Sequence, residues 1–140
     1  MGPASLATIP IGSGFDVEIL SEDRVRDQLS AAEELMFLGH GEPALVAAGA
    51  ALEGALRLSA ARRAGPTASA AALLEALLAA RAVSDVEYDL LLDVLKARDC
   101  LVRGFAPADP QPLDDEPVGE VVAITIRLLE QVHEAGAERS

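Results

Sequence analysis

Residues 21–64 read SEDRVRDQLSAAEELMFLGHGEPALVAAGAALEGALRLSAARRA, and their apolar spacing predicts two helices joined by a short turn. The first apolar stripe recurs at intervals of four, three and four positions, at Val25, Leu29, Ala32 and Met36. Ser21 is suited to cap this helix, because its side chain can accept hydrogen bonds from free amides. Gly39 is suited to end it, because glycine readily adopts the left-handed conformation of a C-terminal cap. The link Gly39-His40-Gly41 is short enough to fold the next helix back antiparallel.

The second helix is expected to hold Pro43 in its first turn, where proline is tolerated, and to run to about Ala64. Its predicted apolar face consists of Leu45, Ala48, Leu52 and Leu56. Alanines on its other sides indicate that it is buried from several directions. Gly49 and Gly54 each cost about 1 kcal/mol of helix propensity relative to alanine. We attribute their presence to the close approach of another helix.

A third helix is expected over residues 69–80 and a fourth from Asp85 to about Val102. Ser84 and Glu87 have the spacing of a capping box, in which each side chain satisfies a free backbone amide of the other residue. The residues predicted to face the core are Leu73, Leu74, Leu77 and Leu78 in the third helix and Val86, Leu90, Leu91, Val94, Leu95 and Leu101 in the fourth. Gly104 is expected to close the fourth helix.

A final helix is expected from Pro117, after an acidic, proline-rich loop over residues 106–117. Asp115 or Glu116 is suited to cap it. Its apolar stripe consists of Val118, Val121, Val122, Leu128, Leu129 and Val132. A β-branched run in this segment is also compatible with a strand, but its length and capping favour a helix.

The N-terminal segment differs from the rest of the chain. Residues 1–14 are rich in glycine and proline, and residues 15–19 then alternate apolar and acidic side chains with the period of a strand. The predicted fold class is therefore all-α: an up-and-down helical bundle of four to five helices preceded by an extended N-terminal arm or single strand. We assign the arm to residues 1–20 and the bundle to residues 21–138.

Composition narrows the class of protein. The chain has 140 residues, of which 51% are hydrophobic, and a formal net charge of −12 at pH 7. Its single cysteine excludes an intrachain disulfide framework, and its acidity excludes a constitutively basic nucleic-acid coat. The N-terminus has no signal-peptide pattern, and the longest apolar run is too short and too polar to span a bilayer. We therefore expect a cytoplasmic protein with no membrane partner.

One short motif indicates a candidate catalytic or phosphate-binding site. Residues 96–105 read KARDCLVRGF at the end of the fourth predicted helix. This stretch resembles the signature of the HEPN superfamily, in which many members read Arg-Asn-x-x-Val-His-Gly at a helix end. Arg98 matches the family arginine, Asp99 its polar neighbour, and Val102 and Gly104 the flanking positions. A wider similarity in helix order covers most of residues 21–135, with the second helix matching around Ala51, Leu52 and Glu53.

The resemblance implies a site that departs from the family pattern. In HEPN nucleases, paired protomers use the arginine to stabilise phosphate charge and the histidine to transfer the proton of a 2′-hydroxyl, without metal. Arg103 occupies the histidine position here, and Phe105 replaces a tyrosine found in toxin-type members. A guanidinium stays protonated and cannot act as a general base. Arg98 and Asp99 are thus the candidate catalytic residues, and Arg98 with Arg103 the candidate ligand- or phosphate-binding pair.

Structural roles compete with these chemical ones. Arg98 falls on the apolar stripe, where an arginine stem often packs while its head lies in water. Cys100 is suited to a small buried position. His40 and His133 have no neighbours at ligand spacing, so the sequence predicts no metal site and no cofactor.

The function expected from these observations is a non-catalytic HEPN-like module that forms a homodimer through helix packing. It would support a protein partner or neighbouring domain, in a prokaryote-type toxin–antitoxin or defence context. Two alternatives are a metal-independent endoribonuclease, with Asp99 as the substitute base, and a nucleotide-sensing domain. Binding of RNA or nucleotides is disfavoured by the net charge of −12.

Overall fold

A computed structural model describes the chain over residues 8–10, 16–18, 20–64, 68–104 and 115–139, and the side chains over residues 20–59, 68–104 and 117–132. Five helices, all within the described residues from Glu22 to Arg139, form an all-α bundle, which confirms the predicted fold class. The helices are α1 (Glu22–Phe37), α2 (Gly41–Ala64), α3 (Ala70–Ala79), α4 (Asp85–Val102) and α5 (Asp115–Arg139).

Serine caps begin three of these helices, as the sequence predicts for two of them. The Ser21 hydroxyl accepts a hydrogen bond from the Arg24 amide at 3.2 Å, and Ser69 caps α3 in the same way. At the start of α4, the Glu87 amide donates to Ser84 Oγ at 3.1 Å and the Ser84 amide donates to Glu87 Oε1 at 2.9 Å. The predicted capping box is therefore confirmed.

Helix α2 forms the centre of the bundle and contacts each of the other four helices. These contacts bury it from several directions, as predicted, and its buried residues are Ala44, Leu45, Ala48, Gly49, Ala51, Leu52, Gly54, Ala55 and Leu56. A Cβ atom added at Gly54 would lie 2.7 Å from Val25 Cγ2 of α1. This contact, together with the short turn between Phe37 and Gly41, makes α1 and α2 antiparallel neighbours.

Two details of the predicted helices are wrong. Val86 was expected in the apolar stripe of α4, but it is 80% exposed. At 100° per residue it lies about 130° from the centre of the buried face formed by Leu91, Val94 and Leu95. Helix α5 begins at Asp115 rather than at Pro117. A proline is tolerated throughout the first turn of a helix, since the amides there have no partner within the helix. The remainder of the predicted loop, residues 106–114, lies outside the described residues.

The predicted N-terminal strand has a partner within the chain. Strand β1 (Thr8–Pro10) pairs antiparallel with strand β2 (Asp16–Glu18), and Ile9 lies opposite Val17. The strand expected around residues 15–19 is therefore one arm of a short hairpin rather than a single strand.

Of the described helices, none combines the length and the apolar character that crossing a bilayer requires.

Candidate functional site between α2 and α4

The candidate site is centred on Arg98, which packs against α2 rather than extending into solvent. A Cβ atom at Gly49 would lie 2.8 Å from Arg98 Cγ and 3.1 Å from its Cβ. The missing side chain at Gly49 thus makes the groove in which the arginine stem lies. The predicted reason for this glycine, close approach from another helix, is confirmed at Gly49 as it is at Gly54.

The guanidinium of Arg98 is held by two carboxylates. Its Nη2 donates to Glu53 Oε1 at 2.6 Å, and its Nε donates to Asp99 Oδ1 at 3.0 Å. Only 13% of the Arg98 side chain is exposed, against 52% for Asp99. The head of Arg98 is therefore ion-paired at the α2–α4 contact, not solvated as a snorkelling arginine would be.

Glu53 joins this arginine to a second one. Its Oε2 accepts a hydrogen bond from Arg57 Nη2 at 2.9 Å, and Arg57 Nη1 donates to the Ala68 carbonyl oxygen at 2.8 Å. These hydrogen bonds link Arg98, Glu53, Arg57 and Ala68 in series, and we call the four residues the Glu53 network. The network connects α4, α2 and the segment that leads into α3. Its four members lie on three separate parts of the described chain.

The charge state of Glu53 follows from this network. Burial raises the pKa of the carboxyl, but the hydrogen bonds and positive charges of Arg98 and Arg57 outweigh burial and hold the pKa below its ordinary 4.5. The carboxylate is therefore ionised at neutral pH. It offsets the charge that Arg98 would otherwise offer to a phosphate.

Arg103 does not share a binding face with Arg98. It caps the C-terminus of α4, where its amide donates to the Asp99 carbonyl oxygen, and its side chain is exposed. Five positions along a helix correspond to about 140° of rotation, so the two side chains leave α4 in different directions. Of the predicted site residues, Arg98 and Asp99 are brought together, while Arg103 is set apart.

The arrangement offers little to acid–base chemistry. Asp99, the substitute base considered for an RNA-cleaving reaction, accepts a hydrogen bond from the arginine it would have to assist. Cys100, expected to be buried, is half-buried. His40 is exposed in the α1–α2 turn, and the His133 side chain lies outside the described residues. Across the described side chains, no group of three His, Cys, Asp or Glu residues is placed to hold a metal ion.

A second ion pair, which sequence reasoning missed, joins α5 to α4. Arg127 donates to both carboxylate oxygens of Glu87, at 2.7 and 2.9 Å, and also to the Ala82 carbonyl oxygen at 3.2 Å. Hydrogen bonds from Arg127, and more weakly from Ser84, lower the pKa of Glu87 to about 2. The available signal was the position of Arg127, a single cation between Ile126 and Leu128 in an otherwise apolar stretch.

The Glu53 network also had a partial signal. Glu53 and Arg57 are four positions apart in a largely apolar helix, the spacing at which opposite charges pair on one face. The link from Glu53 to Arg98 spans 45 positions and has no local signature.

Comparison with known proteins finds no matching family model, no matching curated protein and no matching solved structure.

Proposed function

We propose that the protein is a non-catalytic helical module that acts through contacts with protein partners. The observation that carries this proposal is the ion pair between Arg98 and Glu53, in which Arg98 Nη2 lies 2.6 Å from Glu53 Oε1. This ion pair gives Arg98, the residue that matches the HEPN arginine, a role in holding α4 against α2. The resemblance of residues 96–105 to the HEPN signature supports a setting beside an RNA- or nucleotide-handling partner, of the toxin–antitoxin or defence type.

Binding of a phosphate at Arg98 would be costly in this geometry. The phosphate would have to displace Glu53 or lie beside it, and two anions close to one guanidinium repel each other. Asp99 adds a second carboxylate within hydrogen-bonding distance. The formal charge of −12 adds a long-range repulsion for a nucleic-acid backbone. These charges support a scaffold role over a nuclease or nucleotide-binding role.

Self-association through helix packing remains part of the proposal. Gly49 and Gly54 of α2 pack within one chain, Gly49 against Arg98 and Gly54 against Val25 and Leu20. A homodimer would therefore use an outer face of the bundle. Light scattering coupled to size-exclusion chromatography tests this directly, and a monomer at micromolar concentration would remove self-association from the proposal.

The decisive experiment is an RNA cleavage assay with matched variants. Wild-type protein, Arg98→Met and Arg103→Ala are incubated with structured and unstructured RNA, without and with divalent metal. Arg98→Met keeps the stem over Gly49 and removes the guanidinium, while Arg103→Ala changes an exposed cation. We expect the same uncut RNA with all three proteins. Cleavage by the wild type that Arg98→Met abolishes, with the variant still folded by circular dichroism, would contradict the proposal.

The nucleotide-sensing alternative is tested by thermal unfolding. A ligand at 100 times its dissociation constant stabilises the folded state by about 2.7 kcal/mol, a readily measured shift in Tm. Across a panel of mono-, di- and cyclic nucleotides we expect no shift for the wild type. A shift that Arg98→Met removes and Arg103→Ala retains would replace the scaffold role with a ligand-binding role at Arg98.

A further inference from the structure

The C-terminal end of α1 exposes two large apolar side chains next to each other. Phe37 is 90% exposed and Leu38 57% exposed, although Leu35 and Met36 just before them pack against the core. Single exposed apolar residues are ordinary on protein surfaces, but two large ones side by side form a patch suited to binding. We call Phe37 and Leu38 the apolar knob.

Backbone hydrogen bonds hold the knob in place. The Leu38 amide donates to the Glu34 carbonyl oxygen at 3.0 Å, the Gly39 amide to Met36 at 3.0 Å and the His40 amide to Leu35 at 2.8 Å. Gly39 has a φ of 81°, the left-handed conformation that this cap requires. The backbone that carries the knob is therefore preorganised, which lowers the entropic cost of binding a partner there.

The surroundings of the knob are acidic. Glu33 and Glu34 lie one helical turn before Phe37 and Leu38, Glu42 follows the turn, and all three are exposed. Residues 27–56 contain no lysine or arginine. Carboxylates placed around an apolar centre favour a partner whose apolar pocket is bordered by cations, and they select against acidic surfaces.

We propose that the apolar knob docks into an apolar pocket, bordered by lysine or arginine, on a different protein. This proposal rests on the proposed function, because it names the surface through which the module would reach its partner. A second copy of the chain fits less well. Knob-to-knob contact would bring the Glu33, Glu34 and Glu42 carboxylates of two copies together, which costs free energy through like-charge repulsion.

Site-specific photocrosslinking identifies the partner. The full chain carries p-benzoylphenylalanine in place of Phe37 in the cells that make the protein, and a control chain carries it in place of Val86, which is exposed on α4. Irradiation followed by mass spectrometry should give a covalent adduct to one heterologous protein from position 37 and not from position 86. An adduct only to a second copy, the same adducts from both positions, or no protein adduct would overturn the proposal.

Reconstitution with the purified partner then tests the chemistry. We expect Phe37→Ser/Leu38→Ser to weaken Kd about 30-fold or more, the size of effect typical of a central apolar anchor, and Val86→Ser to change it less than about twofold. Glu33→Gln/Glu34→Gln/Glu42→Gln should weaken binding about 3- to 10-fold at low salt, and this loss should shrink at high salt.

Two results at this stage would overturn the docking proposal. One is unchanged affinity after the knob substitutions, with folding verified by circular dichroism. The other is tighter binding after the glutamate substitutions, which would indicate an acidic partner. Neither result bears on RNA cleavage. The binding assays therefore test docking through the knob, and the cleavage assay tests the non-catalytic function separately.

Discussion

The stem of Arg98 fills the space that a side chain at Gly49 would need. A Cβ atom there would lie 2.8 Å from Arg98 Cγ, near the base of the side chain rather than at its flexible end. Gly49→Ala should therefore push α4 away from α2 and lower the free energy of unfolding by about 1–3 kcal/mol. This loss is net of the roughly 1 kcal/mol that alanine gains in helix propensity. Urea unfolding monitored by circular dichroism measures it.

Gly119 in α5 provides the matched control. It is also a helical glycine, but a Cβ atom added there meets nothing within 4 Å. Gly119→Ala should raise the free energy of unfolding by about 0.5–1 kcal/mol, because only the propensity gain remains. Equal stabilisation by both alanines would show that α4 leaves room for a side chain at position 49.

The ion pair between Arg98 and Glu53 should show a measurable coupling. Arg98→Met keeps the stem over Gly49, and Glu53→Gln keeps the shape of its partner, so the pair differs from the wild type mainly in charge. In a double-mutant cycle we expect a coupling energy of about 1–2 kcal/mol, since the pair is partly buried and directly hydrogen-bonded. Arg98→Met alone should cost about 1–3 kcal/mol.

Arg103→Ala is the control for that cycle, because it removes an exposed cation from the same helix. Its effect on the free energy of unfolding should stay within about 0.5 kcal/mol. A coupling between Arg98 and Glu53 below about 0.3 kcal/mol would assign the pair to the class of surface salt bridges that contribute little.

Local signals account for most of the fold that was predicted. The 3.6-residue period marks the five helices, Ser21 and the Ser84–Glu87 box mark the starts of α1 and α4, and Gly39 and Gly104 mark the ends of the same two helices. These signals are read within a few residues of where they act. The pairing of β2 with β1 was missed because Thr8–Pro10 is short and carries little alternation of its own.

The candidate site was harder to predict because its partners are far apart in the chain. Periodicity placed Arg98 on the inner stripe of α4, but nothing near it indicated Glu53, 45 positions away. The same holds for Arg127 and Glu87, which are 40 positions apart. Long-range pairs depend on how the helices pack. In this sequence the signal for that packing was limited to glycines that indicate close approach, such as Gly49.

The end of α3 carries a backbone conformation that the sequence did not indicate. Arg81 follows the C-cap residue Ala80 with a φ of 63°, and its amide donates to the Leu78 carbonyl oxygen at 3.0 Å. A left-handed conformation costs a residue with a Cβ atom about 1 kcal/mol or more. Arg81→Gly should therefore raise the free energy of unfolding by about 0.5–1 kcal/mol, after the greater chain entropy of glycine in the unfolded state is deducted.

Gly39 offers the reverse test of the same geometry. It occupies the corresponding position after α1 with a φ of 81°, and a Cβ atom there would meet no atom within 4 Å. Gly39→Ala should lower the free energy of unfolding by about 1 kcal/mol through backbone strain alone. A destabilising Arg81→Gly would indicate that the arginine side chain contributes more than its backbone costs.

The ion pair of Glu87 and Arg127 makes stability depend on pH. Hydrogen bonds from Arg127 lower the pKa of Glu87 from the ordinary 4.5 to about 2 in the folded chain. A lowered carboxyl pKa means that the unfolded chain takes up the proton first, so the stabilisation is fully present above pH 4.5 and is lost as the pH falls towards 2. Glu87→Gln should cost about 1 kcal/mol at pH 7, since the pair is partly exposed but bidentate.

Glutamine at position 87 can still accept the hydrogen bond from the Ser84 amide, so the substitution removes the charge and leaves the cap. The difference in the free energy of unfolding between wild type and Glu87→Gln should therefore shrink steadily between pH 4.5 and about 2. Asp89→Asn, which removes the same charge from an exposed position on α4, should show a smaller change over that range. Urea unfolding at half-unit pH steps measures both. A difference for Glu87→Gln that stays constant from pH 7 to pH 2 would mean that Arg127 does not stabilise the ionised carboxylate.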